Sequence, residues 1–126
     1  MSKRVLLAED EPNIVVSLTF LLERAGFEVE SHSNGDDALQ AATASPPDVM
    51  VLDVMMPGLD GFEVLRRLRA DDDDDVRLPV LMLTAKGQRE DRETALKLGA
   101  DRFITKPFSN ADVVAAVQEL AGVTPS

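Results

Sequence analysis

Chemically useful side chains stand where several short apolar runs of the sequence end. Glu9 and Asp10 follow the first run, Asp53 follows the second, Thr84 follows the third, and Lys106 comes just after a shorter segment near the C-terminus. In open parallel sheets, ligands bind beyond the carboxyl ends of the strands. If these runs are parallel strands, three carboxylates, a hydroxyl and an amine meet at one edge of the sheet.

Clustered carboxylates require a compensating charge. Two carboxylates about 4 Å apart repel by roughly 4 kcal/mol at the effective dielectric near a protein surface. Protonation, separation or a bound cation relieves this repulsion. Magnesium prefers few carboxylates, retained waters and phosphate oxygens. We therefore predict that Glu9, Asp10 and Asp53 form a magnesium site, in which manganese or calcium can substitute.

Asp53 is the candidate nucleophile. The Pro57-Gly58 turn and a helix capped by Asp60 begin soon after it, so we expect its carboxylate to face solvent. A carboxylate that attacks a phosphoryl donor forms an acyl phosphate, and this transfer needs in-line positioning and positive charge near the phosphoryl oxygens. The cation and Lys106 would supply that charge. The Thr84 hydroxyl would donate a hydrogen bond to a phosphoryl oxygen.

Strand and helix patterns alternate along the chain. Short apolar runs and two weaker patterns predict five strands: Val5–Ala8, Phe27–Ser31, Val49–Leu52, Val80–Leu83 and Arg102–Thr105. Segments of helical period lie between and after them, and three are closed by Gly26, Gly99 and Gly122. The pattern is (βα)5. It predicts the α/β class, with a doubly wound, five-stranded parallel sheet and helices on both faces.

The helix boundaries follow from capping residues and period. We predict helices over Asp36–Thr43 and Gln88–Leu98, and a last helix capped by Ser109 or Asn110. The acidic run Asp71–Asp75 lacks the ligand spacing and glycine of a calcium loop. We interpret that run as a solvated loop held extended by self-repulsion.

Composition limits the classes of function. A chain of 126 residues predicts one domain, residues 1–126, with no output domain. The absence of cysteine excludes disulfides and thiolate sites. A net charge of −10 argues against direct binding to nucleic acid or to anionic membranes. The N-terminal apolar run is too short for a signal peptide, so we expect a cytoplasmic location.

Four motifs, in order and spacing, resemble the receiver domain of bacterial two-component response regulators. They are LLAEDEP, VLDVMMPGLDG, MLTAKG and GADRFITKPF, and the resemblance covers essentially the whole chain. It implies the strand order 2-1-3-4-5, phosphotransfer from a histidine kinase or a phosphotransfer protein, and magnesium as cofactor. It also implies that phosphorylation changes the face formed by helix four, strand five and helix five, and thereby controls partner binding.

The resemblance assigns a role to each matching residue. Asp53 is the phosphoacceptor. Thr84 and Lys106 contact the phosphoryl group, and Thr84 and Phe103 act as switch residues. Glu9 stands where an aspartate is common, and Lys106-Pro107 is a position where the family often has a cis bond. The residues implied to hold the metal are Glu9, Asp10, Asp53 and, through its backbone carbonyl, Met55.

The fourth-helix region, LTAKGQREDRETALKLGAD, is similar to regulators with a winged-helix DNA-binding output. Those regulators commonly pair through the face of helices four and five, using charged residues. Here Lys97 and Arg102 stand where acidic residues are common, and the fifth helix has no arginine but Ala115, Ala116 and Gln118. We therefore do not expect that particular dimer.

Simpler interpretations and other classes of function compete with this one. Asp53 alone could be a turn residue, Glu9 and Asp10 could cap the first helix, and Phe103 could be a core aromatic. His32 is placed in a surface turn without a role. The methionines around strands three and four are expected to fill gaps in the core; they are Met50, Met55, Met56 and Met82.

Three rival functions fit these residues less well. An aspartyl-phosphate phosphatase would carry a second aspartate two residues after the nucleophile, where this chain has Met55. A flavodoxin-like electron carrier would need a hydroxyl-rich phosphate loop and aromatic rings over the flavin, and this chain has neither Trp nor Tyr. A pseudo-receiver would keep the fold and work through protein contacts alone.

Overall fold

A computed structural model of the chain describes residues 3–71, 77–84 and 89–123. Five strands and five helices alternate along these residues, which confirms the predicted α/β class. The strands are β1 Arg4–Ala8, β2 Glu28–His32, β3 Val49–Asp53, β4 Val80–Thr84 and β5 Arg102–Thr105. The helices are α1 Pro12–Arg24, α2 Gly35–Ala44, α3 Gly61–Asp71, α4 Arg89–Leu98 and α5 Asn110–Ala121.

The strands form one parallel sheet in the order β2-β1-β3-β4-β5. Every residue of β3 and β4 is buried, whereas the edge strands β2 and β5 have exposed positions. A parallel strand covered by helices on both faces needs apolar residues without alternation, which is why the Val, Leu and Met runs mark the central strands. The predicted strand order and class are both confirmed.

The core has two layers, one on each face of the sheet. Leu6 and Leu52 pack in the layer that also contains buried residues of α2, α3 and α4. Leu7 and Val51 pack in the opposite layer, with buried residues of α1 and α5. Successive strand residues point to opposite faces, so each central strand contributes to both layers. Burying one such side chain fully stabilises the fold by about 1.5–3 kcal/mol.

Three of the four methionines that were predicted to fill gaps in the core do so, and the fourth does not. Met50, Met56 and Met82 belong to the layer under α2, α3 and α4. Met55 does not fill a gap in the core, because the residue is 68% exposed in the loop after β3. His32 is the last residue of β2 rather than a turn residue, and its Nε2 lies 2.6 Å from Glu30 Oε2.

Helix ends follow their sequence signals closely. Gly26, Gly99 and Gly122 each follow a helix with a positive φ, a backbone conformation that glycine adopts without strain. Asp60 caps α3, because its Oδ1 accepts a hydrogen bond from the Glu63 amide at 2.9 Å. Ser109 is the N-cap residue of α5, although its side chain accepts no capping hydrogen bond.

Two predicted segments fall partly outside the described residues. The predicted helix from Gln88 corresponds to α4, which is described from Arg89 onward. The acidic run begins at Asp71, which is the last residue of α3, and its other members lie outside the described residues. No helix among residues 3–71, 77–84 and 89–123 is long and apolar enough to cross a membrane.

Arg69 ties α3 to the amino-terminal edge of the sheet. Its guanidinium donates hydrogen bonds to the carbonyl oxygens of Leu78 at 2.8 Å and Gly99 at 3.0 Å. It also contacts Asp101 Oδ2 at 3.0 Å, and the same oxygen accepts a hydrogen bond from the Val80 amide at 2.8 Å. Both charged side chains are largely buried, so this ion pair fixes the start of β4 and the turn before β5.

Replacing Arg69 with methionine tests this arrangement. Arg69→Met keeps an apolar stem but leaves the two carbonyls and the Asp101 carboxylate without these hydrogen bonds. We expect the free energy of unfolding to fall by about 2 kcal/mol, as for other losses of buried charged hydrogen bonds. Urea denaturation followed by circular dichroism measures the change.

Arg67→Met is the matched control on the same helix. Arg67 is half exposed and pairs with Glu63 one turn earlier. Exposed pairs of this kind contribute little to stability. The urea midpoint of Arg67→Met should therefore stay close to that of the wild type. Equal losses in the two variants would contradict a special role for Arg69.

Candidate functional site

The carboxyl ends of four strands bring the predicted chemical residues together. Glu9 follows β1, Asp53 is the last residue of β3, Thr84 is the last residue of β4, and Lys106 follows β5. Because all four strands are parallel, these positions lie at the same edge of the sheet. The sequence prediction that these residues share one edge is confirmed for the acids and the lysine by their contacts.

Asp53 and Glu9 share one ammonium group. Lys106 Nζ lies 3.2 Å from Asp53 Oδ2 and 3.1 Å from Glu9 Oε1. Both carboxylates are buried, with residue exposures of 2% for Asp53 and 1% for Glu9. The expectation that Asp53 faces solvent is therefore wrong. Lys106 contacts one of its oxygens and the Met55 amide the other, at 3.4 Å, so its surroundings cover it.

The two oxygens of Glu9 have different surroundings. Oε2 accepts hydrogen bonds from the backbone amides of Asp10 at 3.0 Å and Glu11 at 3.2 Å. Oε1 is buried near the Lys106 ammonium, but within the described part of the chain it accepts no hydrogen bond of good geometry. A buried carboxylate oxygen in this state is under-satisfied. It can therefore act as a ligand to a cation.

Burial and neighbouring charges shift the proton equilibria of the site. Burial raises the pKa of Glu9 above its usual 4.5, and Asp53 raises it further, through its negative charge and because it can accept a hydrogen bond from the protonated glutamate. Burial alone would lower the pKa of Lys106, but its contacts with Glu9 and Asp53 outweigh burial, and the pKa is raised. Lys106 is therefore positively charged at neutral pH. Glu9 keeps its charge less readily than an exposed glutamate.

Three carboxylates are close enough to share one cation. Glu9, Asp10 and Asp53 each offer an oxygen, and these oxygens lie within 4.8 Å of one another. Asp10 is exposed, so the cluster is accessible from solvent. One ammonium does not balance three carboxylates, and carboxylate oxygens are the ligands that hard divalent cations prefer. With the under-satisfied Glu9 oxygen, this pocket can bind a divalent metal.

The loop after β3 approaches α3 too closely for a side chain at Gly61. The Gly61 amide donates a hydrogen bond to the Val54 carbonyl at 2.9 Å, and a Cβ on Gly61 would overlap the Asp53 carbonyl oxygen. The role of Gly61 in shaping the site was not predicted from the sequence. The Asp60-Gly61 pair just before an apolar helical stripe was the available signal.

Thr84 and Phe103 lie on the side of the site toward β5. Thr84 is buried, its Oγ1 lies 3.4 Å from Thr105 Oγ1, and its carbonyl accepts a hydrogen bond from the Lys106 amide at 2.7 Å. Phe103 is half-buried against the core layer under α4, and Arg92 Cζ lies 4.6 Å from its ring centroid. The Lys106-Pro107 bond is cis. Phe103 thus lies on β5, beside the strand that ends in Thr84, but outside the cluster of charged side chains.

Comparison with known proteins points to one family. Residues 5–118 match the family model described as the response regulator receiver domain. The alkaline phosphatase synthesis transcriptional regulatory protein PhoP of Bacillus subtilis is 45% identical over 95% of this chain and 49% of its own length. Response regulator GtcR of Aneurinibacillus migulanus is 40% identical over 94% and 47%, respectively. The chain spans about half the length of these relatives.

Solved structures share the fold over nearly the whole chain. A putative response regulator from Chloroflexus aurantiacus has a TM-score of 0.87 and 30% identity, covering 97% of this chain and 99% of that protein. The receiver domain of the sensor histidine kinase PA1611 from Pseudomonas aeruginosa has a TM-score of 0.85 and 30% identity, with coverages of 97% and 99%. That receiver was solved with a magnesium ion coordinated in its active-site cleft.

Glu9→Gln tests whether the charge on Glu9 destabilises the metal-free fold. The raised pKa means that the proton-linked stabilisation from Glu9 is present below pH 4.5 and is lost as the pH rises through the raised value. Glutamine keeps an acceptor for the two amides and can direct its NH2 at Asp53. We expect the Tm in EDTA at neutral pH to rise, by about 4 °C if the gain is near 1 kcal/mol.

Thermal unfolding by circular dichroism at several pH values provides the measurement. The gain should shrink as the pH falls toward 4.5, because the wild-type glutamate then becomes protonated. Glu11→Gln makes the same change of charge at an exposed neighbour and should change the Tm at neutral pH little. A lower Tm for Glu9→Gln in EDTA at neutral pH would show that ionised Glu9 stabilises the fold instead.

Proposed function

Because this chain belongs to the response regulator receiver domain family, we propose that it is a phosphorylation-dependent signalling switch with Asp53 as the phosphoacceptor. Receiver domains are signalling modules that interact with histidine kinases or phosphotransfer proteins. We propose that one of these is the phosphoryl donor here. The receiver promotes the transfer onto itself and the later loss of the phosphoryl group, without turning over a separate substrate.

The observation that carries this proposal is the set of charges around Asp53. Its carboxylate lies at the end of a central strand, 3.2 Å from the Lys106 ammonium and within 4.8 Å of oxygens from Glu9 and Asp10. A carboxylate so placed can serve as a nucleophile once the repulsion of its neighbours is neutralised. An aspartate that served only in a turn or as a helix cap would need neither the ammonium nor the two neighbouring carboxylates.

The transfer requires little covalent chemistry from the protein. One Asp53 oxygen attacks the phosphorus of a phosphohistidine, the new P–O bond forms as the P–N bond breaks, and the leaving imidazole takes up a proton. Lys106 stays charged and stabilises the phosphoryl oxygens as negative charge moves onto the site. The ammonium is already between Asp53 and Glu9, so it needs little reorganisation.

We propose magnesium as the cofactor, with manganese and calcium as possible substitutes. Its ligands would be the carboxylates of Glu9, Asp10 and Asp53 and the backbone carbonyl of Met55. When bound, the ion supplies positive charge to the acids and to the phosphoryl oxygens. The buried Glu9 Oε1, close to Lys106 but without a well-formed hydrogen bond in the described residues, supports a metal at this place.

Thr84 and Phe103 are proposed to report the phosphoryl group to the surface. The 3.4 Å contact between the Thr84 and Thr105 hydroxyls is long for a hydrogen bond between hydroxyls, so Thr84 can exchange it for a phosphoryl oxygen at little cost. Phe103 lies on the neighbouring strand under Arg92. Reorientation of Thr84 and Phe103 would change the face of α4, β5 and α5, and thereby partner binding.

The charges on that output face do not favour the dimer of winged-helix regulators. Arg102 Nη1 lies 2.7 Å from Glu119 Oε2, so this pair of β5 and α5 is matched within the chain.

The relative PhoP is named as a transcriptional regulatory protein, but this chain spans only about half of it. We propose that the switch acts in the cytoplasm through a protein partner. Its net charge of −10 disfavours direct contact with nucleic acid or anionic membranes.

Phosphorylation by a small donor tests the proposal directly. The protein is incubated with acetyl phosphate, with and without magnesium, and its intact mass is measured. We expect one phosphoryl group to be added in a magnesium-dependent reaction, because Asp53 needs neutralisation of its neighbours before it can attack. Asp53→Asn should abolish the adduct, since an amide is not a competent nucleophile here.

Asp48→Asn is the matched control, because Asp48 lies just before β3 and Asp53 ends it. Asp48 Oδ2 accepts a hydrogen bond from the Arg4 amide, which asparagine can also accept. This variant should be phosphorylated like the wild type. If the wild type gains no phosphoryl group under any condition, including incubation with a competent histidine kinase, the chain is a pseudo-receiver and the proposal is wrong.

A further inference from the structure

We propose that Gly35 and Asp36, at the start of α2, are positioning residues for the phosphoacceptor site. They hold the middle of the loop between β3 and α3, residues 54–60, which we call the β3–α3 loop. The inference rests on the proposed function, because it concerns the site at which Asp53 would be phosphorylated. It adds the start of α2 to the four strand ends that carry the chemical groups.

Two hydrogen bonds join the start of α2 to this loop. The Gly35 amide donates to the Pro57 carbonyl at 3.2 Å, and the Leu59 amide donates to Asp36 Oδ2 at 3.4 Å. The second bond is long, but the surfaces are also in steric contact. A Cβ on Gly35 would overlap the Leu59 carbonyl, and a Cβ on Gly58 would overlap the Asp36 carboxylate.

The start of α2 is itself firmly held. Asn34 caps the helix, because its Oδ1 accepts a hydrogen bond from the Asp37 amide at 2.8 Å and its Nδ2 donates to Asp37 Oδ2 at 2.9 Å. Ala38 and Ala42 are buried in the core layer that also contains Val54 and Met56 of the loop. The loop is thus held against a capped helix that is anchored in the core.

The same segment also supports the other side of the site. The Glu9 amide donates a hydrogen bond to the His32 carbonyl at 3.1 Å, at the end of β2. Residues 32–36 therefore contact both the backbone that carries Glu9 and the loop that follows Asp53. These are the two segments that would have to keep a fixed separation for acids from both to bind one cation.

The middle of the loop matters because its position determines where the Met55 backbone lies. The Met55 amide donates to Asp53 Oδ1 at 3.4 Å, and in the proposed function its carbonyl is a metal ligand. The loop's ends are fixed by β3 and by the Val54 to Gly61 hydrogen bond. Loss of the Asp36 contact frees the stretch between them, and small displacements of ligands weaken metal binding strongly.

Two adjacent aspartates of α2 give a matched pair for the test. Asp36 and Asp37 are both exposed residues of the first turn, and alanine removes the same charge at either position. Asp36 contacts the β3–α3 loop, whereas Asp37 bonds to Asn34. Asp36→Asn also removes the charge but keeps an oxygen that can accept from Leu59. It therefore separates the hydrogen bond from the long-range effect of charge.

Three measurements distinguish positioning from general stability. Amide hydrogen exchange at Met55 and Leu59 in EDTA reports the loop without any metal. Calorimetric titration gives the magnesium affinity, and acetyl phosphate gives the phosphorylation rate. We expect Asp36→Ala to accelerate exchange at both amides and to weaken magnesium binding about tenfold, a typical effect of losing an outer contact of a metal site. Asp36→Asn should stay within about twofold of wild type.

Asp37→Ala should lower the Tm at least as much as Asp36→Ala, since it loses the contact with the N-cap, yet retain the wild-type magnesium affinity. Equal losses of affinity in the two alanine variants, or unchanged exchange at Leu59 in Asp36→Ala, would overturn the inference. If the wild type binds magnesium and is phosphorylated, and Asp36→Ala does both equally well, the positioning role is refuted but the proposed function stands. A wild type that does neither refutes the proposed function and, with it, the inference.

Discussion

The packing of carboxylates around a buried aspartate is the constraint on which the rest of this structure depends. Asp53 and Glu9 are both buried and share a single ammonium from Lys106, while Asp10 adds a third carboxylate at the surface. Like charges at these distances repel by several kcal/mol in the absence of compensation. Burial raises the pKa of Glu9 most, the neighbouring Asp53 carboxylate raises it further, and the contact with Lys106 offsets only part of this shift. The folded site therefore retains an excess of negative charge.

The sheet tolerates this excess because its apolar strands are fully packed. β3 and β4 are buried along their whole length between two layers of side chains, and Asp53, the charged residue in these two strands, is the last residue of β3. Hydrogen bonds from backbone amides hold the carboxylates in place: Asp10 and Glu11 donate to Glu9, and Met55 donates to Asp53. These amides orient the carboxylates but carry no net charge. The excess of negative charge therefore remains and can attract a cation.

Contacts from outside the charged cluster decide its shape. Gly61 allows α3 to start against the Asp53 carbonyl, and Gly35 allows α2 to start against the β3–α3 loop. On the other side, Phe103 has no hydroxyl with which to hold its ring at the surface, and the Arg92 guanidinium stacks on the ring instead. Cation–π contacts of this kind are worth about 0.5–1 kcal/mol at exposed sites, which is weak enough for the ring to change position.

The sequence by itself determined the elements and the ends of the strands. Apolar runs such as Val49–Leu52 are recognisable because a strand covered on both faces needs apolar residues throughout, and Asp60 and Gly122 mark helix ends through local backbone geometry. Since parallel strands place their carboxyl ends at one edge, the convergence of Glu9, Asp53 and Lys106 followed from the same pattern. The strand order came from the resemblance to a family, because periodicity does not specify which strands are neighbours.

Only the tertiary structure decided how these groups are buried and supported. Asp53 was expected to face solvent and is instead covered, because Lys106, which lies 53 residues later, contacts its carboxylate. Met55 was expected in the core and is exposed, while Gly35 and Asp36 carried no sequence signal that linked them to the site. Caps and periods reflect interactions within a few residues. Burial and charge pairing depend on segments that meet only after the chain has folded.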